Sequence, residues 1–317
     1  MTTKSSTTPL WVAILAVMGC GALVAIQTRI TGQLGLGLGD GFVAATYSFS
    51  SGLVVMLICL LLSRPARAGL RSLWVGIRAG EFPVWAALGG SAGAFLVLSQ
   101  GVAAGILGVA LFTVGVVAGQ TSFGVLLDYW GIGPSGKISP TRRRLAGVLL
   151  CLVAVVITVS GQLSHAGELV WFIMPLIAGF GTAWQPAVNG RVRAQTGSAV
   201  TATFVNFLVG TVILLVVTTA RAVFVGLPES IPTAPWLYTG GVIGTIFIGG
   251  MAVFVKRTGV LLLGLASVSG QLCCSLILDL ALPVGTVAVS LGTIVGVAVA
   301  LVAVLVSSAP ARNIRSA

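Results

Sequence analysis

Charged side chains are scarce in this sequence. They make up 7% of the 317 residues, with 17 lysines and arginines, 6 aspartates and glutamates and a single histidine. A soluble domain carries about 25% charged residues, so this supply excludes a protein with a water-covered surface. Hydrophobic residues make up 57% of the chain and its mean hydropathy is +1.11. Lipid is therefore the expected outer solvent.

Groups that bind metals or perform catalysis are equally few. The five cysteines all fall within apolar runs and form no CxxC motif, so neither a zinc site nor a disulfide framework is predicted. The one histidine, His165, has no second ligand or nucleophile in any motif beside it. We therefore predict no metal, no cofactor and no enzymatic activity.

Apolar runs of about 20 residues, the length that crosses roughly 30 Å of hydrocarbon, follow one another along the chain. They are Leu10–Ile30, Phe42–Leu62, Trp85–Ala104, Ile106–Asp128, Leu145–Leu163, Trp171–Val188, Thr201–Ala222, Trp236–Val255, Val260–Leu280 and Val284–Ser307. The sequence thus predicts an all-α polytopic membrane protein with ten transmembrane helices. The glycines Gly35, Gly37 and Gly39 are predicted to lie in a flexible loop after the first run.

The net charge of +11 follows membrane topology and does not indicate a nucleic-acid partner. When the connections are assigned to alternate sides, 15 of the 17 lysines and arginines fall on one side. Only Arg29 and Arg221 fall on the other, where we expect both to extend towards the interface. By the positive-inside rule both termini are cytoplasmic, as in a multi-pass protein of the inner membrane.

The sequence repeats itself at two offsets. An offset of 151 relates Gly119-Gln120 and Asp128 to Gly270-Gln271 and Asp279, and also Trp85, Gly89, Gly90, Gly93 and Gly108 to Trp236, Gly240, Gly241, Gly244 and Gly259. An offset of 158 relates Gln27, Gly32, Phe49 and Gly52 to Gln185, Gly190, Phe207 and Gly210. This pattern predicts two repeats, residues 1–165 and 166–317. With five spans each, an odd number, the second repeat is inverted.

Several of these motifs resemble a known family. The segment from Gln185 through Asn189 to Gly190, the paired glycines of the third span and the Gly-Gln-x7-Asp signature are similar to those of the drug/metabolite transporter (DMT) superfamily. Within it, the chain most resembles the YdcZ-type inner-membrane exporters, over roughly residues 10–305. The resemblance implies an EamA-like bundle of ten helices in inverted repeats, working by alternating access.

Gln120 and Gln271 are candidate substrate-binding residues near the middle of the bilayer. Each lies eight residues, or about 12 Å along a helix, from the aspartate at the end of its span. An amide facing hydrocarbon costs several kcal/mol, so both are expected to face a common cavity. Hydrogen bonding between helices, without contact to substrate, is the alternative.

Two polar clusters are predicted nearer the membrane surfaces, as two gates or vestibules. Gln27 with Ser48 lies towards the outside, and Gln185 with Asn189 and Asn206 lies towards the cytoplasm. The alternative for both clusters is capping and turn formation at helix ends. Turns are expected at Asn189 and at Thr31, and Pro186 is expected to break the sixth helix.

Asp128 and Asp279 are the acidic residues at the ends of spans and hence the candidates for proton coupling. Their alternative role is to anchor and cap helix ends.

From these features we expect a secondary transporter that moves a small organic solute, a metabolite or a drug-like molecule, outward across the inner membrane. A gated channel, a membrane-embedded enzyme or a scaffold are the alternatives. The expected partners are the solute and the lipid bilayer, for a monomer or a homodimer.

Overall fold

A computed structural model describes residues 9–130, 141–160, 169–282 and 289–308, and over these residues the chain is helical without strands. The helices are α1 Leu10–Leu38, α2 Gly41–Leu62, α3 Arg64–Arg78, α4 Gly89–Leu107, α5 Val109–Trp130, α6 Arg142–Ser160, α7 Ile173–Thr196, α8 Ala199–Val225, α9 Gly240–Ala281 and α10 Leu291–Ser308. Single 3-10 turns precede α4, α7 and α9. The all-helical class expected from the sequence is confirmed.

Six helical segments among the described residues are long and apolar enough to cross a membrane. They are Leu10–Leu38, Gly41–Leu62, Gly89–Leu107, Val109–Leu127, Ala199–Val225 and Leu263–Ala281. Shorter apolar segments are Leu145–Ile157, Gly240–Met251 and Leu291–Val306. These lengths and compositions are those of a polytopic membrane protein.

The helix α1 extends eight residues beyond its predicted end and closes at Gly39, whose φ of 62° is left-handed. The prediction of a flexible glycine loop is therefore wrong. Gly35 lies directly on the backbone of Gly101, so a side chain at residue 35 would collide with the carbonyl group of Gly101. Gly101 belongs to a π-helical turn of α4. Gly35 thus serves close helix packing, and Gly39 ends the helix.

The helix α7 continues through Pro186 to Thr196, so the predicted break after Gln185 is wrong. Neighbouring helices in a membrane protein can compensate for the hydrogen bond that proline removes. Asn189 consequently lies inside a helix and not in the predicted turn. The same correction applies to Thr31, which is buried within α1.

The helix α9 covers the predicted eighth and ninth spans in one helical element of 42 residues. A straight helix of that length would extend about 63 Å. Its two ends nevertheless lie beside the same part of α1. At the first end, a Cβ at Gly240 would be 3.2 Å from Thr31 Oγ1. At the second end, Asp279 is 3.5 Å from Arg29. The element therefore folds back, and its first and second halves pack along α1 in opposite directions.

Helices of the two predicted repeats pack against each other through glycine. A Cβ at Gly90 on α4 would collide with the carbonyl oxygen of Asn206 on α8, and one at Gly241 on α9 would collide with that of Ser48 on α2. The two contacts are equivalent by the sequence offsets. Gly241 follows Gly90 by 151 residues, and Asn206 follows Ser48 by 158 residues.

A second set of contacts follows the same offsets. Gly21 on α1 packs on the backbone of Ser267 on α9, and its counterpart Gly179 on α7 packs on that of Val116 on α5. Likewise Gly270 packs on Met18, and Gly119 packs on Leu176. Helix pairs α1–α9 and α7–α5 thus meet at equivalent residues.

The amphipathic helix α3 lies where the sequence analysis predicts only a basic connection between two spans. Its start is capped by Ser63, whose Oγ accepts a hydrogen bond from the backbone N–H of Ala66 at 3.3 Å. One face of α3 packs against the junction of α7 and α8.

Candidate functional site

A hydrogen-bonded amide cluster lies where α7 meets α8. Asn206 Oδ1 accepts hydrogen bonds from Gln185 Nε2 at 2.8 Å and from Asn189 Nδ2 at 3.1 Å. Gln185 and Asn189 lie four residues apart on α7, so they share the face towards α8. Asn206 is 1% exposed, and its Nδ2 has no hydrogen-bond partner. We call these three residues the Asn206 cluster.

A corresponding polar group lies where α1 meets α2. Gln27 and Thr31 lie one helical turn apart on α1, and the Thr31 hydroxyl is 3.5 Å from that of Ser48 on α2. Gln27 is 3% exposed and its Oε1 is a buried acceptor without a partner. We call these three residues the Gln27 cluster. Each member is related to a member of the Asn206 cluster by the offset of 158.

Glycines of the opposite helices leave room for the two glutamines. A Cβ at Gly93 on α4 would lie 2.7 Å from Gln185 Nε2, and one at the equivalent Gly244 on α9 would lie 3.5 Å from both polar atoms of the Gln27 side chain. An aromatic pair lies between these places. The ring centroids of Phe49 and Phe207 are 5.1 Å apart.

Each phenylalanine also lies beside one of the two glycines. A Cβ at Gly93 would be 3.2 Å from the Phe49 ring, and one at Gly244 would be 3.3 Å from the Phe207 ring. The two clusters therefore flank a shared aromatic contact. Their members are amides and hydroxyls, and the unpaired Gln27 acceptor and Asn206 donor can form hydrogen bonds with a ligand.

Gln120 and Gln271 occupy matched places on the other helix pairs. Their backbone nitrogens lie against Gly179 on α7 and Gly21 on α1 respectively. Each of these glycines precedes its cluster glutamine by six residues, or about 9 Å along the helix. Gln271 is 4% exposed, whereas Gln120 is half-buried. A cavity shared by these two amides stays a prediction.

A buried ion pair joins α1 to the end of α9, beside the start of α5. Arg29 Nη1 is 3.5 Å from Asp279 Oδ1, and Arg29 Nη2 donates to the carbonyl oxygen of Leu282. The same carboxylate caps α5, accepting hydrogen bonds from the backbone N–H groups of Val109 at 3.2 Å and Ala110 at 2.6 Å. Arg29 is 6% exposed, so its predicted extension to the interface is wrong.

The structure also accounts for the reach of Asp279 to α5. Gly108, immediately before α5, has φ 78°, and a Cβ there would be 3.3 Å from Asp279 Oδ2. A positive φ is readily available to glycine alone among the usual residues. Gly108 thus turns the chain between α4 and α5 and leaves the carboxylate space to cap the helix.

A second ion pair connects α2 with the end of α8. Asp40 Oδ1 accepts from the backbone N–H groups of Phe42 at 2.9 Å and Val43 at 3.2 Å, which caps α2. Asp40 Oδ2 accepts a hydrogen bond from Arg221 Nη1, and the Arg221 guanidinium lies 5.1 Å from the centroid of the Phe42 ring. Arg221 therefore closes a contact between α2 and α8, and its extension to the interface stays a prediction.

Sequence reasoning also missed Gln100, in the π-helical turn of α4. Gln100 is 1% exposed, donates to Thr28 Oγ1 at 3.0 Å, and retains a buried Oε1 without a partner. It has no amide counterpart at the repeat offset, because Met251 occupies that position. The repeat pattern that identified the other glutamines therefore gave no signal for it.

Two predicted residues lie outside the described part of the structure. They are the Asp128 side chain and the whole of His165. Within the described residues, no group of three or more His, Cys, Asp or Glu side chains is arranged to hold a metal ion.

The sequence profile of one family, described as "Putative inner membrane exporter, YdcZ", matches residues 10–157 and 170–306. The chain belongs to the YdcZ family. No curated protein matches it. A solved structure described only as "Crystal structure of protein" covers 94% of this chain and 96% of its own, with a TM-score of 0.51 and 18% sequence identity. At that identity the likeness shows the fold alone.

Membership of this family suggests a role for the two clusters. The family is described as a "Putative inner membrane exporter", so polar groups buried among apolar helices are candidates for contact with a transported solute. The Gln27 and Asn206 clusters combine burial, unpaired hydrogen-bonding atoms and repeat symmetry. They are the candidate functional site of this YdcZ protein.

Proposed function

We propose that this YdcZ protein is a secondary transporter of ten transmembrane helices in two inverted repeats, residues 1–165 and 166–317. It exports a small organic solute across the inner membrane by alternating access, and the Gln27 and Asn206 clusters contact the solute. The observation that carries this proposal is the unpaired buried acceptor of Gln27 and the unpaired buried donor of Asn206, in clusters related by one offset.

Inverted repeats are supported by the matched contacts. Gly90 packs on Asn206 as Gly241 packs on Ser48, and Gly21 packs on Ser267 as Gly179 packs on Val116. The family profile likewise matches in two segments, 10–157 and 170–306. Transporters with inverted repeats bind their substrates at the interface between the repeats. Phe49 and Phe207 meet at such an interface.

The chemistry of the clusters favours an uncharged or zwitterionic solute. Their six members are amides and hydroxyls, which bind donors and acceptors but do not neutralise a net charge. The adjacent Phe49–Phe207 pair supplies an apolar surface for an aromatic or aliphatic part. A solute that carries both kinds of group can use Gln27 Oε1, Asn206 Nδ2 and the rings together.

Outward transport is supported by the two ion pairs that link the repeats. By the charge count, Arg29–Asp279 and Asp40–Arg221 lie towards the outside. By the offset of 158, the residues equivalent to Arg29 and Asp40 are Ala187 and Ser198. Neither ion pair therefore has a charged equivalent towards the cytoplasm. A state held closed on the outer side in this way is the state in which the proposed exporter takes up its solute from the cytoplasm.

The same asymmetry separates the two coupling candidates. Asp279 forms an ion pair with Arg29 and accepts hydrogen bonds from two backbone N–H groups of α5. These contacts fit an anchoring role. Asp128 has Ala187 where a counterpart of Arg29 would stand. We therefore assign proton coupling, if protons drive transport, to Asp128 and anchoring to Asp279.

The variant Gln27→Leu tests the proposed site, because it separates binding from stability. It removes an acceptor that the fold leaves unpaired, so the free energy of unfolding should stay unchanged or rise. Solute affinity should fall by about 1–3 kcal/mol, the cost of losing a buried hydrogen bond. A thermal-shift screen first identifies ligands of the wild-type protein, and proteoliposome flux of one such ligand then gives the transport rate.

The matched control is Gln185→Leu, which removes a glutamine that the fold does use through Asn206. This variant should lose both stability and flux. A Gln27→Leu protein that is less stable yet transports at the wild-type rate would make Gln27 a structural residue. Rapid ion flux through the same liposomes without solute coupling would favour the gated channel.

A further inference from the structure

The helix α3 has a basic exposed face that neither transport nor the repeat symmetry explains. The residues of its buried stripe recur every three or four positions: Ala66, Gly69, Leu73 and Gly76. This stripe rests on the junction of α7 and α8, where Thr201 Oγ1 donates to the carbonyl oxygen of Ala66 at 2.8 Å. The remaining face is open.

That open face combines arginine with apolar side chains. Its exposed arginines are Arg64, Arg67, Arg71 and Arg78. Trp74 and Val75 are 57% and 58% exposed, and the Arg78 guanidinium lies 4.7 Å from the centroid of the Trp74 ring. Arginine beside tryptophan on one face of an amphipathic helix is typical of a helix that lies in the membrane interface.

A shallow groove on this face has donors suited to a phosphate group. Arg67, Ala68, Arg71, Ser72 and Val75 line it, and its volume is about 630 Å³. Arg67 and Arg71 are one turn apart, so their guanidinium groups point to the same side. Arg67 also donates to the carbonyl oxygen of Leu61 at the end of α2, which fixes the arginine near the membrane-spanning helix.

We propose that α3 binds the phosphate headgroup of an anionic phospholipid in the leaflet that it faces, cytoplasmic by the charge count. The guanidinium groups of Arg67 and Arg71 would hold the phosphate, while Val75 and Trp74 would face the acyl chains. The occupant is a membrane lipid because the groove lies on an interfacial helix beside the end of a spanning helix. Basic clusters in that position attract anionic lipids.

The corresponding connection of the second predicted repeat is not basic. It lies between α8 and α9, residues 226–239, and contains Glu229 and no lysine or arginine. A lipid on α3 would also influence the transport helices through a contact of α3 with α7. Ser72 Oγ donates a hydrogen bond to the carbonyl oxygen of Gln195, near the end of α7, at 3.4 Å. The lipid would thus stabilise the position of α7, which contains Gln185 and Asn189.

Association of spin-labelled lipids with the full-length protein tests this proposal without any transport assay. The measured quantity is the preference for spin-labelled phosphatidylglycerol over phosphatidylcholine at the protein surface. An arginine near the membrane surface contributes about fivefold to the attraction of an anionic lipid, so R67A/R71A should reduce the preference about twentyfold or more. Raised salt should weaken the wild-type preference, because it screens exposed charges.

The matched control is R142A/R143A, which removes two exposed arginines from the start of α6 and should change the preference at α3 little. An equal loss in both double variants would show a diffuse charge effect and overturn the site. Inorganic phosphate that displaces the lipid more strongly than sodium chloride at the same ionic strength would make it a free-anion site and overturn the lipid assignment. A wild-type preference unaffected by salt would contradict the proposal even if R67A/R71A failed to fold.

Discussion

Gly241→Ala should destabilise the folded protein, whereas Gly249→Ala, on the same helix, should not. A Cβ at residue 241 would collide with the backbone of Ser48 on α2, which cannot move aside as a flexible side chain can. Overpacking of this kind costs about 1–3 kcal/mol. At Gly249 nothing lies within 4 Å of the added Cβ. That substitution should be neutral or gain up to about 1 kcal/mol from helix propensity.

The measurement is the free energy of unfolding of both variants in the same detergent. Gly90→Ala extends the test, because Gly90 meets Asn206 as Gly241 meets Ser48. The losses at residues 90 and 241 should be similar. Equal stability of the Gly241→Ala and Gly249→Ala proteins would show that the contact between α2 and α9 is wrongly placed.

Arg29→Met should be the most damaging single substitution among the charged residues. It leaves the Asp279 carboxylate buried, at 8% exposed, with only two backbone N–H groups to stabilise it. Removing one partner of a buried ion pair typically costs about 3–5 kcal/mol. Arg29→Met/Asp279→Asn should regain much of this loss, since no buried charge then remains unpaired.

Unfolding free energies of the two single variants and the double variant form a double-mutant cycle, with the exposed Arg142→Met as the control. The coupling between residues 29 and 279 should be clearly favourable, and Arg142→Met should be close to the wild type. Strict additivity of the two single losses would contradict the ion pair.

How far the sequence predicts this molecule depends on how local each feature is. Apolar length and the repeat offset are properties of the sequence, so the helical class and the pairing of Gln27 with Gln185 are readable without coordinates. The offset also relates Thr31 to Asn189, and both lie inside helices although turns were predicted at them. Helix packing, not local preference, decides the state of such residues.

Long-range partners were not predictable in the same way. Arg29 and Asp279 are 250 residues apart, and nothing in either local sequence indicates the other. Without a partner, the best expectation for a lone arginine near a span end is extension to the interface. The break at Pro186 failed for a related reason, since the neighbouring helices that stabilise α7 are not visible in its own sequence.

Alternating access is tested most directly by distances on the two sides of one protein. After replacement of the native cysteines, spin labels at Leu36 and Ala220 report on the side that the charge count assigns to the outside. Labels at the residues related to them by the offset of 158, Ala194 and Leu62, report on the side assigned to the cytoplasm. All four residues are exposed.

Double electron–electron resonance in nanodiscs gives both distances, with and without a ligand from the thermal-shift screen and in the Arg29→Met/Asp279→Asn protein. We predict two populations for each pair. The double variant should lengthen the outer distance and shorten the cytoplasmic one together. Distances that open on both sides at once, or that never change, would contradict alternating access.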